Sequence, residues 1–198
     1  MPDPIDLTEK FGEGWCVTVT RLPPGEALHR MGVAELATMP DGLQQATGRL
    51  AVPGAPRDLG ALILGRQAAA EWTLVLELDG THGWLGREPD VLAALSTDSG
   101  IACSTTKDSN QTTVLFAEDG LISTVLDAVT GSWRGTPSHR LATAFADIGL
   151  REDDEPSDAY ASRSCSQNAA LVIRAATGIT LGDDMFTGSW IGGLAASE

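Results

Sequence analysis

The sequence predicts an α+β fold, a mainly antiparallel sheet with short helices packed on one face. Three observations lead there. Apolar runs of strand length are joined by hairpin-type turns, most clearly Glu118-Asp119-Gly120. Short segments opened by proline and closed by glycine, each with an apolar stripe, alternate with those runs. The chain has 198 residues, of which 42% are apolar, enough to fill one core of single-domain size. An α/β sandwich with some parallel pairing is the alternative arrangement.

After a polar opening, residues 15–20 alternate large apolar and small β-branched side chains, which puts one set on the core side of a pleated strand. A short helix follows. Pro23 and Pro24 pre-set its first turn, Leu28 and Met31 share a face, and Gly32 supplies a left-handed cap. Residues 50–58 carry Pro53, Gly54 and Pro56 and read as a loop, after which residues 61–64 and 72–78 read as strands. The near-continuous apolar run of the second implies burial on both faces and a central position. It ends at the turn signal Asp79-Gly80. Glu88-Pro89-Asp90 opens a second short helix, with proline in the first turn and carboxylates near the positive end of the helix dipole.

Further strands fall at 101–105, 113–117 and 121–126. Asp119-Gly120 between the last two favours a type I′ hairpin, because both central positions of that turn need positive φ. Thr136 and Pro137 then start a helix whose stripe, Leu141, Phe145 and Ile148, stops at Gly149. Glu152, Asp153, Asp154 and Glu155 form a solvated linker, since adjacent carboxylates repel and resist burial. A last helix covers part of 158–177 and ends at Gly178, and the tail through Gly192-Gly193 is expected to be weakly ordered. The expected organisation is an α+β core over 1–150, with 151–198 adding the acidic linker, the C-terminal helix and the tail on the same domain.

Lys and Arg total 13 against 27 Asp and Glu, a formal charge of −14. That balance argues against direct nucleic-acid binding, which needs clustered cations to displace counterions, and against anionic membrane surfaces. It favours a partner protein of basic or mixed charge, felt over a Debye length of about 8 Å. The opening Met1-Pro2-Asp3-Pro4-Ile5-Asp6 has no basic leader, and no charge-free run reaches the roughly 18 apolar residues of a membrane span. Cys16, Cys103 and Cys165 are odd in number and far apart, which suits buried thiols in a reducing compartment; the expected location is cytoplasmic. The cations are mostly arginine, with lysine only at Lys10 and Lys107, a bias associated with a GC-rich bacterial genome.

The ordered set Gly14-Trp15-Cys16-Val17-Thr18, Gly83-Trp84-Leu85-Gly86, Leu95-Ser96, Ala117-Glu118-Asp119-Gly120, Gly149-Leu150 and Thr177-Gly178-Ile179-Thr180-Leu181 spans nearly the whole chain. In that order it resembles an actinobacterial family of small uncharacterised proteins, a domain of unknown function. The resemblance implies a bacterial, cytoplasmic, single-domain protein and carries no catalytic residue with it.

The segment richest in chemistry is 77–84. There Glu77 or Asp79 would orient His82 as a general base while Trp84 floors a pocket; the plainer reading is a polar turn anchored by Trp84. His29, His82 and His139 lack metal-ligand spacing, so no metal or cofactor is expected. Ser104-x-x-Lys107 lies on a strand instead of a helix start, and Gly12-x-Gly14 precedes a strand, so neither supports acyl transfer nor pyrophosphate binding. Asp183-Asp184 and Glu118-Asp119 lack a calcium loop around them. The expected function is a non-enzymatic protein-binding module, immunity-like or accessory, with an acidic recognition surface. Its candidate contact residues are Glu77, Asp79, His82, Trp84, Glu152, Asp153, Asp154 and Glu155. The alternative is a small-ligand-binding protein or hydrolase-like enzyme with a pocket near Glu77, His82 and Trp84. The oligomeric state is left open.

Overall fold

The structure is a computed structural model that describes residues 5–44, 61–69, 71–78, 83–98, 100–109, 111–150 and 155–195. The loop expected at 50–58 and the turn at Asp79-Gly80 lie outside those residues. Among the described residues nine strands form one sheet: β1 (Trp15–Thr20), β2 (Ala37–Met39), β3 (Ala61–Ala69), β4 (Trp72–Glu77), β5 (Ile101–Asp108), β6 (Gln111–Glu118), β7 (Leu121–Asp127), β8 (Trp133–Gly135) and β9 (Trp190–Ala195). Their order is β2-β9-β3-β4-β1-β5-β6-β7-β8, and each pairing is antiparallel, so the α/β alternative drops out. β1 and β4 sit side by side in the interior and are buried at every position, as the apolar run of β4 requires.

The helices are α1 (Leu7–Phe11), α2 (Pro24–Arg30), α3 (Pro89–Ser96), α4 (His139–Asp147), α5 (Asp158–Ala161) and α6 (Cys165–Thr177), with 3₁₀ turns at Leu85–Arg87 and Asp183–Phe186. They cover both faces of the sheet, which corrects the expectation of a single helical face. Leu7 of α1, Leu141 and Phe145 of α4, and Leu171 to Ile173 of α6 share one core with Trp15, Val17, Val114 and Phe116. Ala27 and Leu28 of α2, with Leu92 and Leu95 of α3, share the other with Ile63, Val75, Ala102 and Leu115. Successive side chains of a strand point to opposite faces. Val114 and Phe116 therefore look one way and Leu115 and Ala117 the other, and a strand apolar in both directions needs a layer on each side.

Several local expectations hold in detail. Gly32 takes φ +84° as the α2 terminator, and Val33 N–H reaches back to Leu28 C=O at 3.0 Å. Asp119 and Gly120 both have positive φ, 50° and 83°, as the type I′ hairpin demands. Other details differ. Ser138 rather than Thr136 caps α4, accepting the Leu141 N–H at 3.3 Å. The single C-terminal helix is two, because Ser164 starts α6 afresh with a capping box closed by Gln167.

The weakly ordered tail is instead β9, paired to β2 on one side and β3 on the other. Its glycines serve close approach. A Cβ on Gly192 would stand 2.5 Å from the Ile63 carbonyl oxygen, and one on Gly193 2.2 Å from that of Glu35. No helix among the described residues is long and apolar enough to cross a membrane.

Candidate functional site

The register of three central strands assembles a polar band inside the α2/α3 face. Cys16 of β1 lies between Glu77 of β4 and Thr106 of β5, and Thr18 lies opposite Ser104. All five are buried. Buried polar groups must satisfy one another, and these do: Thr18 Oγ1 donates to Ser104 Oγ at 3.0 Å, Cys16 Sγ sits 3.3 Å from Ser104 Oγ, and Thr106 Oγ1 donates to Cys16 Sγ at 3.6 Å.

Glu77 closes the band. Its two carboxylate oxygens accept the backbone N–H groups of Leu85 at 2.8 Å and Gly86 at 2.9 Å, with Cys16 opposite it across the β1–β4 ladder. The carboxylate thus ties the Leu85–Arg87 turn onto the sheet. Gly86 makes the contact possible, because a Cβ there would stand 2.3 Å from Thr18 Oγ1, 2.7 Å from Ser104 Oγ and 2.8 Å from Cys16 Sγ. Trp84, 8% exposed, leads into the turn and lies against Gly14.

Burial pushes the Glu77 carboxyl above its ordinary value, against the pull of the two backbone donors. Burial, reinforced by the Glu77 charge, pushes the Cys16 thiol well above its own. Cys16 is accordingly a thiol at neutral pH and a poor nucleophile. Cys103 is likewise buried and raised, so neither central cysteine is poised for covalent chemistry.

The last residue of the tied turn is Arg87, which also lines a cleft toward the β7–β8 end of the sheet. β7 is only partly buried and β8 is half-exposed, which leaves a cleft of about 430 Å³ on the same face. Thr113, Leu115 and Val125 floor it; Gln111, Asp127 and Ser132 add polar groups; Arg87 and Arg134 stand at its edges. The ladder fixes these neighbours, with Leu115 opposite Val125, Val125 opposite Arg134, and Thr113 opposite Asp127. Asp127 Oδ1 already accepts the N–H groups of Val129 at 2.8 Å and Thr130 at 3.3 Å. Arg87 has one long contact, 3.7 Å to Asp108, and Arg134 has no carboxylate within 4.0 Å among the described residues.

Of the residues singled out from sequence, Glu77 and Trp84 meet at the turn, with Glu77 bonded to the backbone that follows Trp84. Glu155 is exposed, and Asp79, His82, Glu152, Asp153 and Asp154 lie outside the described residues. Ser104 is committed to the polar band, and Lys107 bonds Ser109 C=O at 2.9 Å and pairs with Glu13 at 3.2 Å. The cleft residues escaped the sequence reading. The signal present was the shared alternation of Thr113 with Leu115, Val125 with Asp127, and Ser132 with Arg134, but only the strand register converts it into a site.

No group of three or more His, Cys, Asp or Glu converges on a metal-sized site among the described residues. The fold and the tied turn define an α+β protein built on a nine-stranded antiparallel sheet with a polar clamp at its centre. A family model described as a family of unknown function, DUF6461, matches residues 4–192, and the chain belongs to that family. No solved structure matches the chain.

Proposed function

We propose that this is a non-enzymatic protein-binding module, an immunity-like or accessory protein of an actinobacterial cytoplasm, which recognises a partner of basic or mixed charge through its acidic surface. The observation that carries the reading is the fate of the reactive groups around Glu77. Glu77, Cys16, Thr18 and Ser104 are buried and bonded to one another or to backbone, so they serve the scaffold. What reaches solvent is charge. Exposed carboxylates such as Glu88, Asp90, Asp119, Asp147 and Asp158 stand outside the ion pairs among the described residues, and a field of that sign accelerates and orients a cationic partner. The buried thiols of Cys16 and Cys103 suit a reducing compartment.

The test is capture of a stoichiometric partner from the native host, followed by affinity measurements at two ionic strengths. Raising salt from about 0.15 M to about 1 M shrinks the Debye length from about 8 to about 3 Å and is expected to weaken the complex. A partner whose affinity ignores salt, or the absence of one at low salt, overturns the reading. The second reading is a small-ligand-binding protein or hydrolase-like enzyme with a pocket near Glu77, His82 and Trp84; the open cleft that Arg87 lines on the same sheet face supports a small-ligand site, displaced from those three residues.

A further inference from the structure

We propose that the cleft between Arg87 and Arg134 binds a small organic oxyanion, a carboxylate or a phosphate, that also carries a hydrogen-bond donor. The chain has 13 lysines and arginines against 27 acids, yet two of its guanidinium groups line this one concavity. A guanidinium presents a planar fork of N–H donors that matches a carboxylate or phosphate edge. Both forks are available: Arg134 has no acidic partner among the described residues, and Arg87 has only the 3.7 Å contact to Asp108.

Both are also held in place. Arg87 follows the two residues whose N–H groups the buried Glu77 grips, and Arg134 is fixed opposite Val125 by the β7–β8 ladder. The fixed backbone at both positions limits where each guanidinium can reach, which removes part of the ordering cost of binding. The lining explains the rest of the ligand. Leu115 and Val125 offer an apolar floor for a short carbon body, and Gln111, Thr113 and Ser132 offer orienting polar groups. Asp127 repels a second negative charge from its side while leaving Oδ2 to accept from an amine or hydroxyl. The volume of about 430 Å³ falls in the small-ligand range of about 300–1,000 Å³. The site is independent of the acidic-surface reading, since it concerns other residues and a ligand of opposite sign.

The experiment is a titration of the isotope-labelled full chain, followed by backbone amide shifts, with four probes: acetate, glycine, inorganic phosphate and glycerol 3-phosphate. Saturable shifts at Arg87, Thr113, Val125, Ser132 and Arg134 are expected, larger for glycine than acetate if the source is a carboxylate, or for glycerol 3-phosphate than phosphate if it is a phosphate. R134Q and R87Q should each weaken binding by about tenfold or more, while R21Q, outside the cleft, leaves it unchanged. The rest of each variant's spectrum reports that the fold is intact. No saturable shift with any probe at about ten times a millimolar dissociation constant, or binding that survives both cleft substitutions, overturns the proposal. That failure would leave the acidic-surface reading standing.

Discussion

A carboxylate buried beneath a turn has to find donors, and Glu77 finds them in backbone. Its burial raises its proton affinity in the folded chain above that in the unfolded chain, despite the Leu85 and Gly86 N–H groups. The folded state therefore binds more protons between the ordinary carboxylate value and the raised one, and stability contributed by this group falls as pH rises through that window. Against E77Q, which cannot titrate, wild type is expected to lose relative stability over the same interval in denaturant titrations. A difference that moves the other way would show that the charged form is the favoured one. Gly86 makes the complementary case. A methyl group there meets Thr18, Ser104 and Cys16 closer than van der Waals contact allows, so G86A is expected to lower unfolding free energy by about 1–3 kcal/mol, the range for overpacking a tight core. Urea denaturation measures it. In the sequence Glu77 stood out only as one of two carboxylates, with Asp79, that could orient His82. Its partners were not legible there, because backbone donors leave no mark in the residue string.

Elements were legible wherever start, stripe and stop are all local. α2 and α4 announce themselves through proline, apolar spacing and glycine, α3 through its proline and acidic opening, and the Asp119-Gly120 hairpin through its φ requirement. β9 was hidden for the opposite reason. Its two glycines look like slack when read along the chain, and become necessary only when Ile63 and Glu35 approach them from other segments. The break between α5 and α6 is a capping effect, with the Ser164 side chain accepting the Gln167 N–H at 3.2 Å while Gln167 Oε1 accepts the Ser164 N–H at 3.1 Å. S164A removes the side-chain half of that reciprocal pair and is expected to destabilise the protein by about 0.5–2 kcal/mol, read from the shift in the denaturant midpoint at constant slope.

For the whole molecule the dominant quantities are two cores and one sign of charge. A sheet layered on both sides buries most of its central strands, and the band of Cys16, Thr18, Ser104, Thr106 and Glu77 across β1, β4 and β5 is accommodated there by hydrogen bonds within itself and to the Leu85–Arg87 turn. A formal charge of −14 imposes self-repulsion on the compact state. Moderate sodium chloride is expected to raise the thermal midpoint, because screening relieves that repulsion more than it weakens the few surface ion pairs. Calorimetry across a salt series checks this, and a midpoint that falls on adding salt would mean that attractive pairs dominate.

By itself the sequence determined the class of fold, most strand and helix positions and the acidity, since all of these follow from composition, periodicity and short-range turn chemistry. The tertiary structure alone decided that helices lie on both faces, that the C-terminal segment is an interior strand, and that Arg87 and Arg134 share a cleft. Each of those depends on register between segments far apart in the chain, and strand pairing is set by the summed burial of both faces of the sheet rather than by any residue's neighbours in sequence.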